Sequence, residues 1–507
     1  MSTSAPTPEP SPKAAPKRRR KSMRQLVEEW SWQRRLWREA KNGWKGVLAS
    51  VVFHAILLFL MTLFIVTAFQ EEPQMLYLSW GTAVEEEPEV ITPDVEPIRI
   101  PSLSMNNSPS RETPDPQPEQ EAAPATEPKP AVRPVNVSAA LANRPRRSLG
   151  SPSPNANDLD LREALDRATA WIAQQQYEDG HWSLNGPYPD AGSIQTSTGA
   201  TSLALLALLG DGHTHVDGEY KSQVDKGLRW LIRQQRPSGD LFDILEEGRE
   251  PHFYAHAQGT IALCEALALT GDESLRAPAE RAVQFLVDAQ NPVQGGWKYR
   301  PLTETGIGDL SVTGWALMAL HTARMAKIPA PLEVYMVSDR FLDSVQEQQL
   351  NRSLYKYRPD FPVDESQRMS MTAEGLLCRQ WLGWEKNDPA MKRGVDFLVS
   401  TQNRPEWLAH RRNVYAWYYT AQTLHNLGGS RWEKWFAEVQ HLILKHQATA
   451  GPTRGSWHPS RPPGAFQERS HDAGRLYLTV MCVLILETPH RHQPVYAEEP
   501  SPMSGGR

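Results

Sequence analysis

The sequence predicts an all-α protein: six helical hairpins, set as an inner ring of helices inside an outer one, preceded by one transmembrane helix and a disordered stalk. Three observations predict it. A bulky residue, Leu or Ile, three further residues and Gln recur six times. The copies are Trp171-Ile172…Gln176, Trp230-Leu231…Gln235, Phe285-Leu286…Gln290, Phe341-Leu342…Gln346, Phe397-Leu398…Gln402 and Leu442-Ile443…Gln447, at steps of 59, 55, 56, 56 and 45 residues. A fixed period of this size marks one supersecondary unit copied and stacked. Between the copies lie far more apolar runs, and 24 uncharged residues stand near the N-terminus.

The 507 residues exceed one ordinary core, and their charge is uneven. Residues 1–45 carry 12 Lys and Arg against 4 acids, and residues 70–157 carry 13 acids against 7 basic residues. Gly46 to Phe69 lie between them without a formal charge. At about 1.5 Å per residue this run spans a hydrocarbon core of about 30 Å. A cleavable signal peptide has a much shorter charged region and an apolar core of about 7–15 residues, so an uncleaved anchor fits better. The basic flank keeps the N-terminus cytoplasmic and puts the C-terminal domain on the extracytoplasmic (periplasmic) side. Trp30, Trp32, Trp37 and Trp44, interleaved with arginines, read as an interfacial segment against membrane lipid and not as a nucleic-acid surface.

Residues 70–157 hold 16 prolines with scattered acids and no apolar period, which predicts a disordered or polyproline stalk. Within the apolar run, Ser50 and His54 share one helical face, and an ionisable residue inside a membrane helix is a functional candidate. Ser50-x3-His54 followed by an acidic, Pro-rich stretch resembles the N-terminal part of TonB-type energy transducers. The resemblance covers residues 45–135 and implies contact with a proton-driven motor complex; the alternative is a neutral His packed near the membrane boundary. No TonB-like C-terminal domain follows.

Each repeat reads as two helices. The first carries the motif and keeps a polar face, as in Gln223–Gln235. The second is apolar all round: Thr198–Leu209, Ala257–Leu269, Val312–Ala323, Thr372–Trp384, Tyr415–Leu427 and Ala473–Leu486. Helices apolar all round are buried, so the second set forms the inner ring. Arg167, Lys226, Arg281 and Arg393 stand four before the bulky residue, each followed by Gly or Ala. After Gln comes a turn that closes in three copies on Gly-x-Trp, ending at Trp182, Trp297 and Trp457. Cys264, Cys378 and Cys482 each sit in an apolar run without metal-ligand spacing and read as free buried thiols. A disordered tail is expected over 491–507.

The pattern Lys/Arg-Gly-x2-aromatic-Leu-x3-Gln-x3-Gly-x-Trp resembles the QW motif of terpenoid cyclases and protein prenyltransferases. Lys226-Gly227…Trp230-Leu231…Gln235…Gly239 fits it except that Leu241 replaces the last Trp. The resemblance implies a single (α/α)6 toroid over residues 158–490, and it argues fold and not chemistry. Class II cyclases of the squalene–hopene type carry Asp-x-Asp-Asp-Thr, whose middle Asp protonates an alkene. Asp309-Leu310-Ser311-Val312-Thr313 keeps the first Asp and the Thr, but Ser311 stands where the proton donor should be. Prenyltransferases bind zinc through Asp-x-Cys and a following His. Here Ser311 replaces the Cys, and Met371-Thr372-Ala373-Glu374 supplies no His. No metal and no cofactor is therefore expected.

Polar residues remain at the starts of the inner helices: Tyr254, His256, Asp309, Ser311, Glu374, Tyr418 and His471, with Trp315 one turn further in. Counting three back from the small residue of each inner helix gives Thr196, His256, Ser311, Thr372, Tyr418 and His471, which equivalent repeats would set in one ring at the mouth of a central cavity. His256 and Asp309 are candidate catalytic residues, an acid–base pair. Tyr254, Ser311, Trp315, Glu374, Tyr418 and His471 are candidate ligand-binding residues. The plainer readings are helix caps for Asp309 and its neighbours and hydrogen-bonded structural roles for the histidines. Three functions fit these residues: a membrane-anchored toroid binding an apolar, isoprenoid-like ligand in a central cavity; a non-catalytic interaction module on a stalk; and a polysaccharide-acting enzyme using Asp309 and Glu374 as its carboxylate pair. A cavity filled by Trp315 and the tyrosines excludes the first.

Overall fold

A computed structural model describes residues 156–496 apart from 243–245, 247–250, 302–305 and 348–351, together with His54 and residues 132–135. The segment 46–69 read as a transmembrane helix lies outside the described residues except for His54, as does most of the stalk. Among the described residues no helix is long and apolar enough to cross a membrane.

Within the described residues 156–496, twelve α-helices alternate in role. The outer ones are α1 (Ala156–Gln174), α3 (Lys221–Gln234), α5 (Arg276–Asp288), α7 (Leu332–Val345), α9 (Pro389–Leu398) and α11 (Gly429–Lys445). The inner ones are α2 (Ser197–Gly210), α4 (Pro251–Thr270), α6 (Leu310–Met325), α8 (Glu365–Trp381), α10 (Val414–Leu427) and α12 (Ser470–Arg491). Each inner helix packs on the next, α2 on α4 round to α12, and α12 returns to α2. The inner ring is closed, and it is buried along nearly its whole length, as an all-round apolar sequence requires.

The repeated Gln fastens the outer ring. The Nε2 amide of Gln176, Gln235 and Gln447 donates to the carbonyl of the turn that follows it: Gly180, Gly239 and Gly455, at 2.9, 3.1 and 2.9 Å. The same amide reaches the next outer helix, from Gln176 to Gln223 O, Gln235 to Pro278 O, Gln290 to Val334 O and Gln447 to Ala164 O, at 2.7–3.1 Å. The last of these joins the sixth repeat to the first. The basic residue four before the bulky one completes the device. Arg281 donates to Gln235 Oε1 at 2.7 Å, and Arg167 to Gln447 Oε1 at 2.9 and 3.1 Å. The motif Trp donates its indole N–H to the carbonyl of the motif Leu or Ile: Trp182 to Ile172, Trp297 to Leu286 and Trp457 to Ile443, at 2.7–2.8 Å. Gly180 needs its left-handed φ of 104°, and a Cβ there would strike the Lys226 carbonyl.

The fifth repeat departs from this plan: Gln402 is exposed, and Asn403 Nδ2 caps Phe397 O instead, at 2.8 Å. Cys264, Cys378 and Cys482 are buried free thiols. The tail does not begin at 491. Arg491 is buried against Glu265 and Glu487, Val495 N donates to Asn426 Oδ1 at 3.1 Å, and Tyr496 donates to Trp384 O.

Candidate functional site

The register of the inner ring is set by a contact that the count from the small residues misses. In five of the six repeats the backbone N–H that closes the motif turn donates to a side chain on the following inner helix. Trp182 donates to Thr201 Oγ1, Leu241 to His256 Nδ1, Trp297 to Thr313 Oγ1, Tyr355 to Thr372 Oγ1 and Trp457 to Thr479 Oγ1, all at 3.0–3.2 Å. Thr201, His256, Thr313, Thr372 and Thr479 are therefore the equivalent positions. The expected ring of Thr196, His256, Ser311, Thr372, Tyr418 and His471 does not form, because the small residues fall at different heights on their helices.

His256 accordingly faces the outer layer. Its Nδ1 accepts from Leu241 N, its Nε2 bonds to Ala282 O at 3.1 Å, and its ring packs on Phe253 and Phe285. The nearby carboxylate is Asp240, with Oδ1 3.3 Å from His256 Nδ1 and Oδ2 bonded by His252 at 2.7 Å. His256 is not brought beside Asp309. His471 is set apart too: it is exposed, bonded to Ser460 Oγ at 3.0 Å, and separated from the rest of α12 by Gly474, whose backbone is non-helical.

The other predicted residues do meet. Asp309 caps α6, its Oδ1 accepting from Val312 N at 2.9 Å and from Ser311 Oγ at 2.8 Å. Ser311 shares a 2.7 Å hydrogen bond with Tyr254. Those two residues hold the same register position, two before Thr313 and His256, and so point the same way from adjacent helices. Tyr299 and Tyr357 share a 2.8 Å bond at the edge of the cluster. Glu374, on α8, lies against Gly314 of α6, where a Cβ would collide with its carboxyl, and Tyr415 donates to its Oε2 at 3.3 Å. One turn deeper Trp315 stacks on Tyr418 with centroids 5.8 Å apart, Tyr419 packs on both, and Tyr418 bonds Met318 Sδ at 3.3 Å.

Burial dominates the electrostatics. Asp309 and Glu374 are both 0 % exposed. Desolvation raises the Asp309 carboxyl and pushes Glu374 well above the usual glutamate range, where the charge of Asp309 adds to the effect. Desolvation also raises the phenols of Tyr254, Tyr357, Tyr415 and Tyr419, so they stay neutral donors.

Two carboxylates at the same end escaped the sequence reading. Glu246 accepts from Thr196 Oγ1 at 2.7 Å and Thr198 N at 2.8 Å, capping α2. Glu468 accepts from Val414 N at 2.9 Å, capping α10, and is paired with Arg412 at 2.7 Å, both fully buried. Each reaches in from a loop without periodicity, so spacing carries no signal for them. Among the described residues no group of three or more His, Cys, Asp and Glu is placed to hold a metal ion.

Toward the C-terminal ends of the inner helices the space between Leu206, Ile261, Met318, Tyr418 and Arg491 measures about 40 Å³, little more than one water's share of liquid volume, about 30 Å³. A larger groove of about 670 Å³ lies outside the ring, between α1 and the segment joining α2 to α3.

No protein-family model matches the chain. Part of it is 29 % identical over 180 residues to drimenyl diphosphate synthase of Streptomyces showdoensis, covering 34 % of this chain and 30 % of that protein. Squalene–hopene cyclase of Bradyrhizobium diazoefficiens is 26 % identical over 190 residues, covering 33 % and 27 %. The chain is distantly related to both and spans under a third of their length. Among solved structures, the type II terpene cyclase MstE from Scytonema aligns at TM-score 0.42 and 14 % identity, over 66 % of this chain and 99 % of that one. An α-1,6-mannanase of glycoside hydrolase family 76 from Salegentibacter aligns at 0.47 and 11 % identity, over 65 % and 98 %.

Proposed function

We propose that this chain is an interaction module: a toroid with a filled interior, tethered to a membrane through residues 46–69 and displayed on a Pro-rich stalk, with Ser50 and His54 available to a proton-driven complex. The observation that carries this reading is the packing of Trp315, Tyr418 and Tyr419 into the centre of the ring, with about 40 Å³ left beneath them. Pockets for small apolar ligands run to about 300–1,000 Å³. The carboxylate pair needed for polysaccharide cleavage is sealed as well, since Asp309 and Glu374 have no exposed surface on which a sugar could lie.

Glu374 favours a second reading. A carboxylic acid held neutral by burial and ringed by phenols is the kind of group that gives a proton to an apolar substrate. On this reading the ring opens to admit an isoprenoid-like ligand, with Asp309, Ser311 and Tyr254 lining the way. The test is incubation of the purified full-length chain with squalene and with geranylgeranyl diphosphate, followed by product analysis. The interaction-module reading predicts that no cyclised product forms. A product that forms with the native chain and disappears in Glu374→Gln overturns it in favour of the second.

A further inference from the structure

Four residues of the stalk, Val132-Arg133-Pro134-Val135, lie on the toroid in extended form. Arg133 N donates to Leu382 O at 3.0 Å and Val135 N to Trp381 O at 3.2 Å. The acceptors are the last residue of α8 and the C-cap residue that follows it, where the carbonyls at a helix end lack intrahelical partners. Amides two residues apart point the same way along an extended chain, and the residue between them is Pro134, which has no N–H to lose. Its carbonyl faces the other way and accepts from Arg324 Nη2 at 3.0 Å, at the end of α6. Val132 packs against the core, while Arg133 turns its side chain to solvent.

Gly383 fits this contact twice over. Its φ of 96° ends α8, and the Arg133 carbonyl lies where a Cβ would stand. Beside the strap the C-terminal segment closes the same end of the ring, with Tyr496 donating to Trp384 O.

We infer that the cleft formed by Arg324 and the Trp381–Trp384 turn is a receptor for an extended, proline-containing chain, and that residues 132–135 fill it in cis as a strap. This goes beyond the proposed function, since it holds whether or not the toroid is catalytic. The strap divides the stalk. Residues 70–131 then stand between the apolar run 46–69 and the strap. It also fixes the point where the tether leaves, at the end of the ring away from Asp309 and Glu374.

The test is hydrogen exchange on the full-length chain in detergent. The amides of Arg133 and Val135 are expected to exchange about tenfold or more slower than those of the isolated peptide 128–139. Val135→Pro removes one donor and is expected to release the Arg133 amide, whereas Val135→Ala keeps the donor and the protection. The double variant Arg133→Pro/Val135→Pro, which alters nothing in the toroid, is expected to bind the labelled 128–139 peptide in trans, and the native chain to leave it unbound. Peptide-like exchange at both amides of the native chain overturns the proposal, as does a double variant that ignores the peptide.

Discussion

Arg167 on α1 donates to Gln447 Oε1 from Nε and Nη2, at 3.1 and 2.9 Å, and Gln447 Nε2 returns a 2.7 Å bond to Ala164 O of the same helix. This reciprocal grip joins residues 280 apart in sequence and closes the outer ring. Gln447→Ala leaves the Ala164 and Gly455 carbonyls without their donor and opens the seam. A loss of about 2–4 kcal/mol follows from two buried acceptors at about 1–2 kcal/mol each. The urea midpoint of the full-length chain reads it, and the exposed Gln402→Ala is expected to cost much less, about 0.5 kcal/mol or under.

His256 is predicted to matter for folding and not for chemistry. His256→Ala strands the Leu241 N–H and the Ala282 carbonyl and empties a buried site, at about 2–4 kcal/mol. Thr holds this register position in four other repeats, so His256→Thr is expected to restore the bond from Leu241 N and recover a good part of the loss. Chemical denaturation of the two variants distinguishes them, and equal losses would show that the Leu241 contact is not what matters.

Glu374 gives the chain a pH dependence on its alkaline side. Its folded pKa lies above its unfolded value of about 4.5 because burial disfavours the charge. The stability it contributes is full below that value and is lost as pH rises from there toward the folded value. Glu374→Gln cannot ionise, so its melting temperature is expected to fall less than the native one between pH 5 and pH 8. Parallel pH profiles for the two proteins would refute the assignment.

His321 works in the opposite direction. Burial lowers it from 6.5 to about 3, and its ring stacks on Trp381 at 5.1 Å. The unfolded chain then binds the proton first, so stability falls as pH drops from about 6.5 toward 3. His321→Phe keeps an aromatic ring against Trp381 and is expected to flatten that acid limb in a thermal melt series.

Much of this architecture was legible in the sequence, because a QW-like repeat writes its contacts at fixed spacing. The Gln, the Trp where it is present and, at Gln235 and Gln447, the basic residue of the next outer helix are parts of one joint, so their fixed spacing marks the repeat although it does not name the contacts. The inner helices were legible for a simpler reason: a helix with no polar face has nowhere to lie but inside. The mouth was legible only in part. Asp309, Ser311, Tyr254 and Glu374 do cluster, since their helices are neighbours. The register of His256 is not legible from the small residues, because a Gly sits at whatever height on a helix a close approach requires. Glu246, Glu468 and the strap at 132–135 act through single loop contacts, which leave no period to detect.

Whether the toroid is filled by its own side chains separates the interaction module from a ligand-binding ring. Quantifying isoprenoid lipid by mass spectrometry, in extracts of the full-length chain purified in detergent, tests this most directly. A filled ring predicts far less than one isoprenoid per chain, unchanged from a detergent-only control. One tightly held isoprenoid per chain, lost on Tyr418→Trp, would contradict it.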